Sequence, residues 1–128
     1  MPSKGKYELT NPAKKKSVKV ELEIADTEFS RMRGLMFRDS IVPILFIFGF
    51  EGIFSIHSYF VKGKFDAIYL GKGGRVTEIF RRIPPNTALV RPQKSSSMLL
   101  ELPMRMTDEL CIEKGDVLRW KRVDGGKR

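Results

Sequence analysis

The sequence predicts a mainly β protein, a compact antiparallel β-sandwich or barrel-like domain with one or two short helices. Three observations lead to this class. About eight short apolar segments are separated by turns rich in glycine and proline, which is typical of antiparallel sandwiches and barrels. One segment alternates strictly between apolar and charged residues. The regular alternation of strands and helices that builds a parallel nucleotide-binding sheet is missing.

The clearest strand covers residues 17–24. Its apolar positions are Val18, Val20, Leu22 and Ile24, and the positions between them are charged. Because successive side chains of a strand point to opposite faces of a sheet, this segment predicts a strand with one buried face.

A short helix is predicted directly after this strand, ending near Arg33. Asp26 or Thr27 can act as its N-cap, because a short polar side chain accepts a hydrogen bond from a free backbone N–H at a helix start. Gly34 can end the helix by taking the left-handed conformation. The side chains expected to face the core are Phe29, Met32 and Met36.

The remaining elements follow from apolar runs and turn residues. Further strands are predicted at residues 44–48, 53–61, 65–70, 75–83, 88–90, 98–102 and 117–123. Residues 71–74, Gly-Lys-Gly-Gly, predict a hairpin, because glycine accepts a positive φ without a steric penalty. A turn of helix is expected near residues 107–112, followed by a tight turn at Gly115 and Asp116.

Charge divides the 128 residues into a nearly neutral body and two basic ends. Residues 1–16 contain five lysines against Glu8, and residues 117–128 contain five basic residues against Asp124, so each end carries +4 of the total charge of +9. We therefore predict a basic, flexible N-terminal tail at residues 1–16, a single β-rich domain at 17–123 and a basic C-terminal tail at 124–128.

The sequence also predicts a cytoplasmic protein without membrane association. The longest apolar run, residues 41–50, is far shorter than the roughly 20 residues of a membrane-spanning helix. The first residues lack the apolar stretch of a secretory signal. The single cysteine, Cys111, cannot form an internal disulfide, which agrees with a reducing compartment.

Several short motifs occur between about residues 18 and 120 in an order and spacing similar to those of a known family. They are Ala25-Asp26-Thr27, Arg31-x-x-Gly34-Leu35-Met36-x-Arg38, Leu45–Phe48, Phe65–Leu70, Arg75-Val76, Glu101-Leu102-Pro103 and Gly115-Asp116. With these motifs the chain resembles the domain of unknown function 192 family, and its archaeal-type members most. The resemblance implies a compact β-sandwich. Because the family has no established activity, the resemblance implies no catalytic residues.

The chain departs from the family pattern in two places. Residues 57–61 read His-Ser-Tyr-Phe-Val where many members have Trp-Met-Lys-Asn-Thr, so any site built on that asparagine and threonine is not expected here. Residues 104–105 read Met-Arg where members often have Ala-Gly, which removes a flexible glycine.

Two side chains are the first candidates for a site. His57 is the sole histidine and thus the one side chain whose ordinary pKa lies near neutrality, although a lone strand histidine is more often structural. Asp66 lies in an apolar strand, where a buried carboxylate needs a partner. The natural partners are Arg31, Arg33 and Arg38, either in a structural ion pair or around a pocket for a small anionic or polar ligand.

No catalytic residues, metal site or cofactor are expected. One histidine and one cysteine cannot supply a zinc site, and no calcium loop is recognisable. A Gly-x-Ser-x-Gly turn, which a hydrolase of that type requires, is missing. Structural roles are expected for Asp26, Thr27, Gly34, Gly115 and Asp116.

Three hypotheses about function remain open at this point. The first is a non-enzymatic β module that binds a small ligand or a protein partner through Arg31, Arg33, Arg38, His57 and Asp66. The second is association with nucleic acid or the ribosome through the basic tails, because lysine and arginine that neutralise phosphates dominate such binding. The third is an enzyme that uses His57 or Asp66.

Overall fold

The computed structural model describes residues 3–124, which are arranged around a seven-stranded sheet. The strands are β1 Ser3–Asn11, β2 Lys16–Ala25, β3 Ile44–Gly52, β4 Phe65–Leu70, β5 Val76–Ile83, β6 Ser96–Leu102 and β7 Arg119–Arg122. Helix α1 spans Glu28–Arg33 and helix α2 spans Met104–Glu109. Short 3-10 turns at Pro12–Lys14 and Lys72–Gly74 complete these elements. The predicted mainly β class with two short helices is confirmed.

The sheet is mixed and strongly curled. Its strand order is β5-β4-β6-β3-β2-β1-β7, in which β2 and β3 run parallel and all other neighbours run antiparallel. The two edges approach each other at one corner, where Arg75 before β5 forms a bridge with Val117 before β7. Because this contact involves a bridge and not paired strands, the sheet does not form a closed barrel.

Both faces of the sheet are buried, which makes the fold sandwich-like. One face carries the first core, which includes Leu22, Leu45, Ile68 and Leu100 and is covered in part by Met106 of α2. The opposite face carries the second core. Its members include Ile44, Phe46, Tyr69, Leu99, Leu35 after α1 and Val61 in the loop of residues 53–64. Strand β4 is buried along its whole length, as expected for a strand that contributes to both cores.

The predicted flexible N-terminal tail is wrong for the described part of residues 1–16. Strand β1 pairs with β2 on one side and with β7 on the other. Gly5 and Leu9 are buried, and Leu9 packs in the first core, so one face of β1 is apolar despite its lysines. Of the predicted C-terminal tail, the structure describes Asp124, and residues 125–128 lie outside the described residues.

The predicted strands at residues 53–61 and 88–90 are also wrong. These segments are joined by one bridge, in which the N–H groups of Ile56 and Val90 each donate to the carbonyl of the other at 3.0 and 2.8 Å. Phe60 has a φ of 62°, which is incompatible with an extended strand. Residues 53–64 therefore form an apolar loop that lies over the second core.

Helix α1 lies where a short helix is predicted, but its N-cap, the conformation of Gly34 and the residues that face the core differ from the prediction. Thr27, and not Asp26, is the N-cap, and it forms a reciprocal capping box with Ser30. Gly34 has a φ of 47° and a ψ of −127°, so its φ is positive but its conformation is not left-handed helical. Met32 is 72% exposed, and Leu35 occupies the core instead. Met36 is half-buried, and the side chain of Phe29 lies outside the described part of the structure.

The tight turn at Gly115 and Asp116 is held by hydrogen bonds to a single carboxylate. Gly115 has a φ of 92°. The Asp116 carboxylate accepts hydrogen bonds from the Asn11 side chain at 2.9 Å, the Lys14 ammonium at 2.8 Å and the Glu113 N–H at 2.9 Å. Asp116 therefore ties this turn to the end of β1. Within residues 3–124, no helix is long and apolar enough to cross a membrane.

Asp66 is buried, but its partner is not an arginine side chain. Its neighbours Phe65 and Ala67 belong to the second core, so Asp66 points to the opposite face of the sheet. Its carboxylate accepts a hydrogen bond of 2.8 Å from the backbone N–H of Arg82. The pairing of β4 with β5 shifts register at this point, and Arg82 has a φ of 55°. Asp66 thus provides the acceptor for an N–H at a β-bulge.

We expect Asp66→Ala to lower the free energy of unfolding by about 1–3 kcal/mol, because the substitution removes the acceptor of the Arg82 N–H. Asp66→Asn keeps a side-chain oxygen and should lose less. Urea denaturation of both variants measures the difference. An alanine variant as stable as the wild type would contradict this role.

Candidate functional site

A cavity of about 390 Å³ opens between α1 and the loop of residues 53–64, above the second core. Its volume lies within the range of about 300–1,000 Å³ that is usual for small-molecule sites. The apolar part of its lining includes Phe46, Phe48, Phe54, Val61, Phe65 and Leu99. The polar and charged part is Arg31, Arg33, Ser55, His57 and Glu101. The cavity is therefore apolar with a few polar groups, as ligand pockets usually are.

The register of the sheet brings a carboxyl group into this cavity. In β6, Leu100 and Leu102 belong to the first core, so Glu101 between them points to the opposite face. Glu101 lies opposite Ile44 of β3 and Ala67 of β4 in the strand pairing. It is 5% exposed and lines the cavity.

Burial decides the protonation of Glu101. Loss of water around the carboxyl group raises the pKa of Glu101 from its usual 4.5 to about 8, and the positive charge of Arg38 opposes this only in part. No hydrogen bond from a described residue contributes to this pKa. Glu101 is therefore a protonated acid at neutral pH.

A second buried carboxylate, Glu23, lies on the other side of Ile44. Ile44 pairs with Glu23 of β2 on one side and with Glu101 of β6 on the other. Arg38 binds Glu23 through both terminal nitrogens, at 2.9 and 2.7 Å, in a bidentate ion pair. Its Nε donates to the Gly34 carbonyl at 2.7 Å. The Arg38 guanidinium thus connects the end of α1 to β2, and its terminal nitrogens are engaged with Glu23.

An unusual pair of aromatic residues joins the segment after α1 to the loop of residues 53–64. Phe37 and Phe60 have φ values of 63° and 62°, a region that bulky residues rarely occupy. The Phe37 N–H donates to the Phe60 carbonyl at 2.8 Å, and the two rings stack with centroids 4.9 Å apart. These contacts fasten the turn after α1 to the loop of residues 53–64. Strained backbone of this kind occurs most often at functional sites.

Three of the predicted site residues meet at this cavity. Arg31, Arg33 and His57 line it. Arg31 donates to the Ile47 carbonyl at 3.2 Å, and Arg33 is exposed. His57 is exposed, and its Nδ1 accepts a hydrogen bond of 3.1 Å from the Tyr59 N–H. The remaining two predicted residues lie elsewhere, Arg38 beside Glu23 and Asp66 on the opposite face of the sheet.

Glu101 is the site residue that sequence reasoning missed. The signal was present, since Glu101 interrupts the apolar run of residues 98–102 in the same way that Asp66 interrupts its own strand. No group of three or more histidine, cysteine, aspartate or glutamate side chains within residues 3–124 is placed to hold a metal ion.

We expect the free energy of unfolding to fall as the pH rises from about 5 to 8. In this window the folded protein keeps a proton on Glu101, whose pKa is about 8, while the unfolded chain, with the usual pKa of 4.5, has released it. Because the unfolded state then binds fewer protons, a rise in pH favours unfolding, by at most about 1.4 kcal/mol per pH unit. Glu101→Gln should flatten this dependence. Urea denaturation at pH 5, 6, 7 and 8 compares the two proteins, and identical pH profiles would contradict the assignment.

Arg38→Met should lower the free energy of unfolding by about 3–5 kcal/mol, because Glu23 would keep a buried charge without its partner. The double variant with Glu23→Gln should recover part of this loss. Arg33→Met is a matched control in the same segment, and because Arg33 is exposed its effect should stay within about 0.5 kcal/mol. Equal stability of the Arg38 and Arg33 variants in urea denaturation would exclude a structural role for the ion pair.

Comparison with known proteins shows the family. The model of DUF192, described as "Uncharacterized ACR", matches residues 9–120. A UPF0127 protein of Pyrococcus furiosus is 27% identical over 117 residues, which cover 90% of this chain and 99% of the relative. A UPF0127 protein of Pyrococcus abyssi is 32% identical over 109 residues, which cover 82% of this chain and 92% of the relative.

A solved structure has the same fold. The crystal structure of a proposed transcription regulator from Sinorhizobium meliloti 1021 superposes with a TM-score of 0.82 over 93% of this chain and 95% of that chain. At 21% identity this likeness shows the fold alone. The relatives and the family description specify no activity. From the family match and the archaeal relatives it follows that the chain belongs to the uncharacterised DUF192 family and is of its archaeal type.

Proposed function

We propose that this protein is a non-enzymatic binding module whose cavity between α1 and the loop of residues 53–64 takes a small ligand with an apolar body and a polar end. One observation carries the proposal. A cavity of about 390 Å³ with a largely apolar lining contains a buried carboxyl group, Glu101, to which no described residue supplies a hydrogen bond. A buried polar group of this kind costs stability unless a partner satisfies it.

The walls of the cavity support a preformed site. The Arg38–Glu23 ion pair holds the end of α1 on the sheet, and the Phe37–Phe60 contact joins that turn to the facing loop. Because both walls are fixed in this way, a ligand would lose little binding energy in ordering them.

The positions of the arginines and of Glu101 indicate which charge the polar end of the ligand can carry. The arginines on which the sequence-based expectation of an anionic ligand rested lie at the rim or are already paired. The group inside the cavity is a carboxyl. Because Glu101 is protonated at neutral pH, an anionic group beside it would be buried without a positive partner. The observations therefore favour a ligand whose buried end is not anionic.

The two alternatives have less support. His57 and Asp66 lie on opposite sides of the sheet, so they do not form one catalytic pair. The lysines near the N-terminus lie in or next to β1 and β2 and not in a free tail, and Lys14 also pairs with Glu113 at 2.9 Å and with Asp116 at 2.8 Å. A cytoplasmic location, which agrees with the single cysteine, is part of the proposal.

Ser55→Trp should abolish ligand binding without unfolding the protein, because Ser55 is exposed and lines the cavity, so that an indole there fills the mouth. The matched control is Ser17→Trp, at an exposed position of β2 outside the cavity lining. A fragment library screened by ligand-observed NMR against the wild type and both variants measures the effect. The proposal predicts hits that Ser55→Trp removes and Ser17→Trp keeps. A library without hits, or hits that persist in Ser55→Trp, would contradict it.

A further inference from the structure

We infer that the ligand is an organic monoamine, with its protonated nitrogen bound to the Glu101 carboxylate and its apolar body against the phenylalanines of the cavity. This inference rests on the proposed binding function and specifies the chemical class of the ligand. It follows from three features: a carboxyl group without an ion-pair partner among the described residues, an aromatic wall in the same cavity, and the positions of the surrounding charges.

The first feature is the missing counter-ion. Two buried carboxyl groups, Glu23 and Glu101, flank Ile44 on the same face of the sheet. The guanidinium of Arg38, whose charge acts on Glu101, uses both terminal nitrogens for Glu23. A cation in the cavity would give Glu101 the partner that Glu23 already has. Buried carboxylates are stable when they are paired and hydrogen-bonded, and an ammonium group supplies both the charge and the donors.

The second feature is the aromatic wall. Phe48 and Phe54 both line the cavity and stack on each other, with ring centroids 3.8 Å apart and an angle of 14° between the rings. The face of an aromatic ring attracts a cation and also packs well against an apolar chain or ring. An amine with an apolar body fits a pocket of this composition better than a sugar or an inorganic ion.

The third feature is the set of charged and titratable groups around Glu101. Glu23 of β2 and Arg38 neutralise each other, and the hydroxyl of Tyr69 in β4 donates to the Phe54 carbonyl. At the rim are Arg31, Arg33 and His57. These rim groups are partly or fully exposed, so solvent screens their repulsion of a deep cation. A second positive charge at the far end of the ligand would meet them directly, which favours a monoamine over a diamine.

Binding of such a ligand must release a proton. Free Glu101 is protonated at neutral pH because its pKa is raised to about 8. When the ammonium group enters, the carboxyl group loses its proton to solvent and the resulting carboxylate pairs with the ligand. The affinity should therefore rise with pH by up to about tenfold per unit below pH 8. A neutral ligand that accepts a hydrogen bond from the protonated acid would release no proton, so its affinity would stay nearly constant below pH 8 and fall above it.

The test uses the full chain and three probes of equal length: 4-phenylbutylamine, 4-phenylbutan-1-ol and 4-phenylbutyrate. Isothermal titration calorimetry at pH 6, 7 and 8, in buffers of different ionisation enthalpy, gives the affinity and the number of protons released. We expect the amine to bind at least tenfold more tightly than the alcohol or the acid at pH 8, with nearly one proton released at pH 6. Glu101→Gln should remove this preference, and Glu21→Gln, at an exposed position of β2, should keep it.

The outcomes separate this inference from the proposed function. An alcohol that binds as tightly as the amine, an affinity for the amine that falls as the pH rises, or a preference unchanged in Glu101→Gln would overturn the inference and leave the binding function standing. Failure of the amine to bind would also overturn it. In that case the fragment screen with Ser55→Trp decides independently whether the cavity binds ligands at all. The pH dependence of the wild type keeps the test valid even if Glu101→Gln folds poorly.

Discussion

The candidate site depends on one interaction, the bidentate ion pair between Arg38 and Glu23. The same guanidinium also donates to the Gly34 carbonyl, so a single side chain holds the end of α1 against β2 and sets the position of one cavity wall. An ion pair that is largely removed from water is costly to form and is destabilising when one partner is lost. Because the terminal nitrogens of Arg38 are engaged with Glu23, Glu101 has no ion-pair partner among the described residues, and the charge of Arg38 opposes the rise of its pKa only in part.

The sheet explains why two carboxyl groups come so close together. Successive residues of a strand point to opposite faces of the sheet, and paired residues of neighbouring strands point to the same face and lie next to each other. Strand β3 lies between β2 and β6, and its Ile44 pairs with both Glu23 and Glu101. The loop of residues 53–64 then closes over this part of the second core through the Phe37–Phe60 contact. The result is a cavity with fixed walls and a polar group inside it.

Much of the fold could be predicted from the sequence, because local patterns determine it. The strict alternation of apolar and charged residues located β2. A capping residue and a glycine marked the start and the end of α1. The glycine-rich residues 71–74 located the turn between β4 and β5. Strand β1 was missed because its lysines outweighed the alternation of Gly5, Tyr7 and Leu9. The site could not be predicted without the register of the strands. Asp66 and Glu101 look alike in sequence, because each interrupts an apolar strand. Strand pairing places Asp66 on one face, where it accepts the N–H of a β-bulge, and Glu101 on the other face, where it lines the cavity.

The most direct test of this account is a titration of the Glu101 carboxyl carbon by ¹³C NMR in the ligand-free protein, with Glu101→Gln used to assign the signal. We expect a midpoint near pH 8, which would mean that a protonated acid lies buried in the cavity without an ion-pair partner. A midpoint near the ordinary value of 4.5 would mean that Glu101 is solvated or already paired, and it would contradict the central claim.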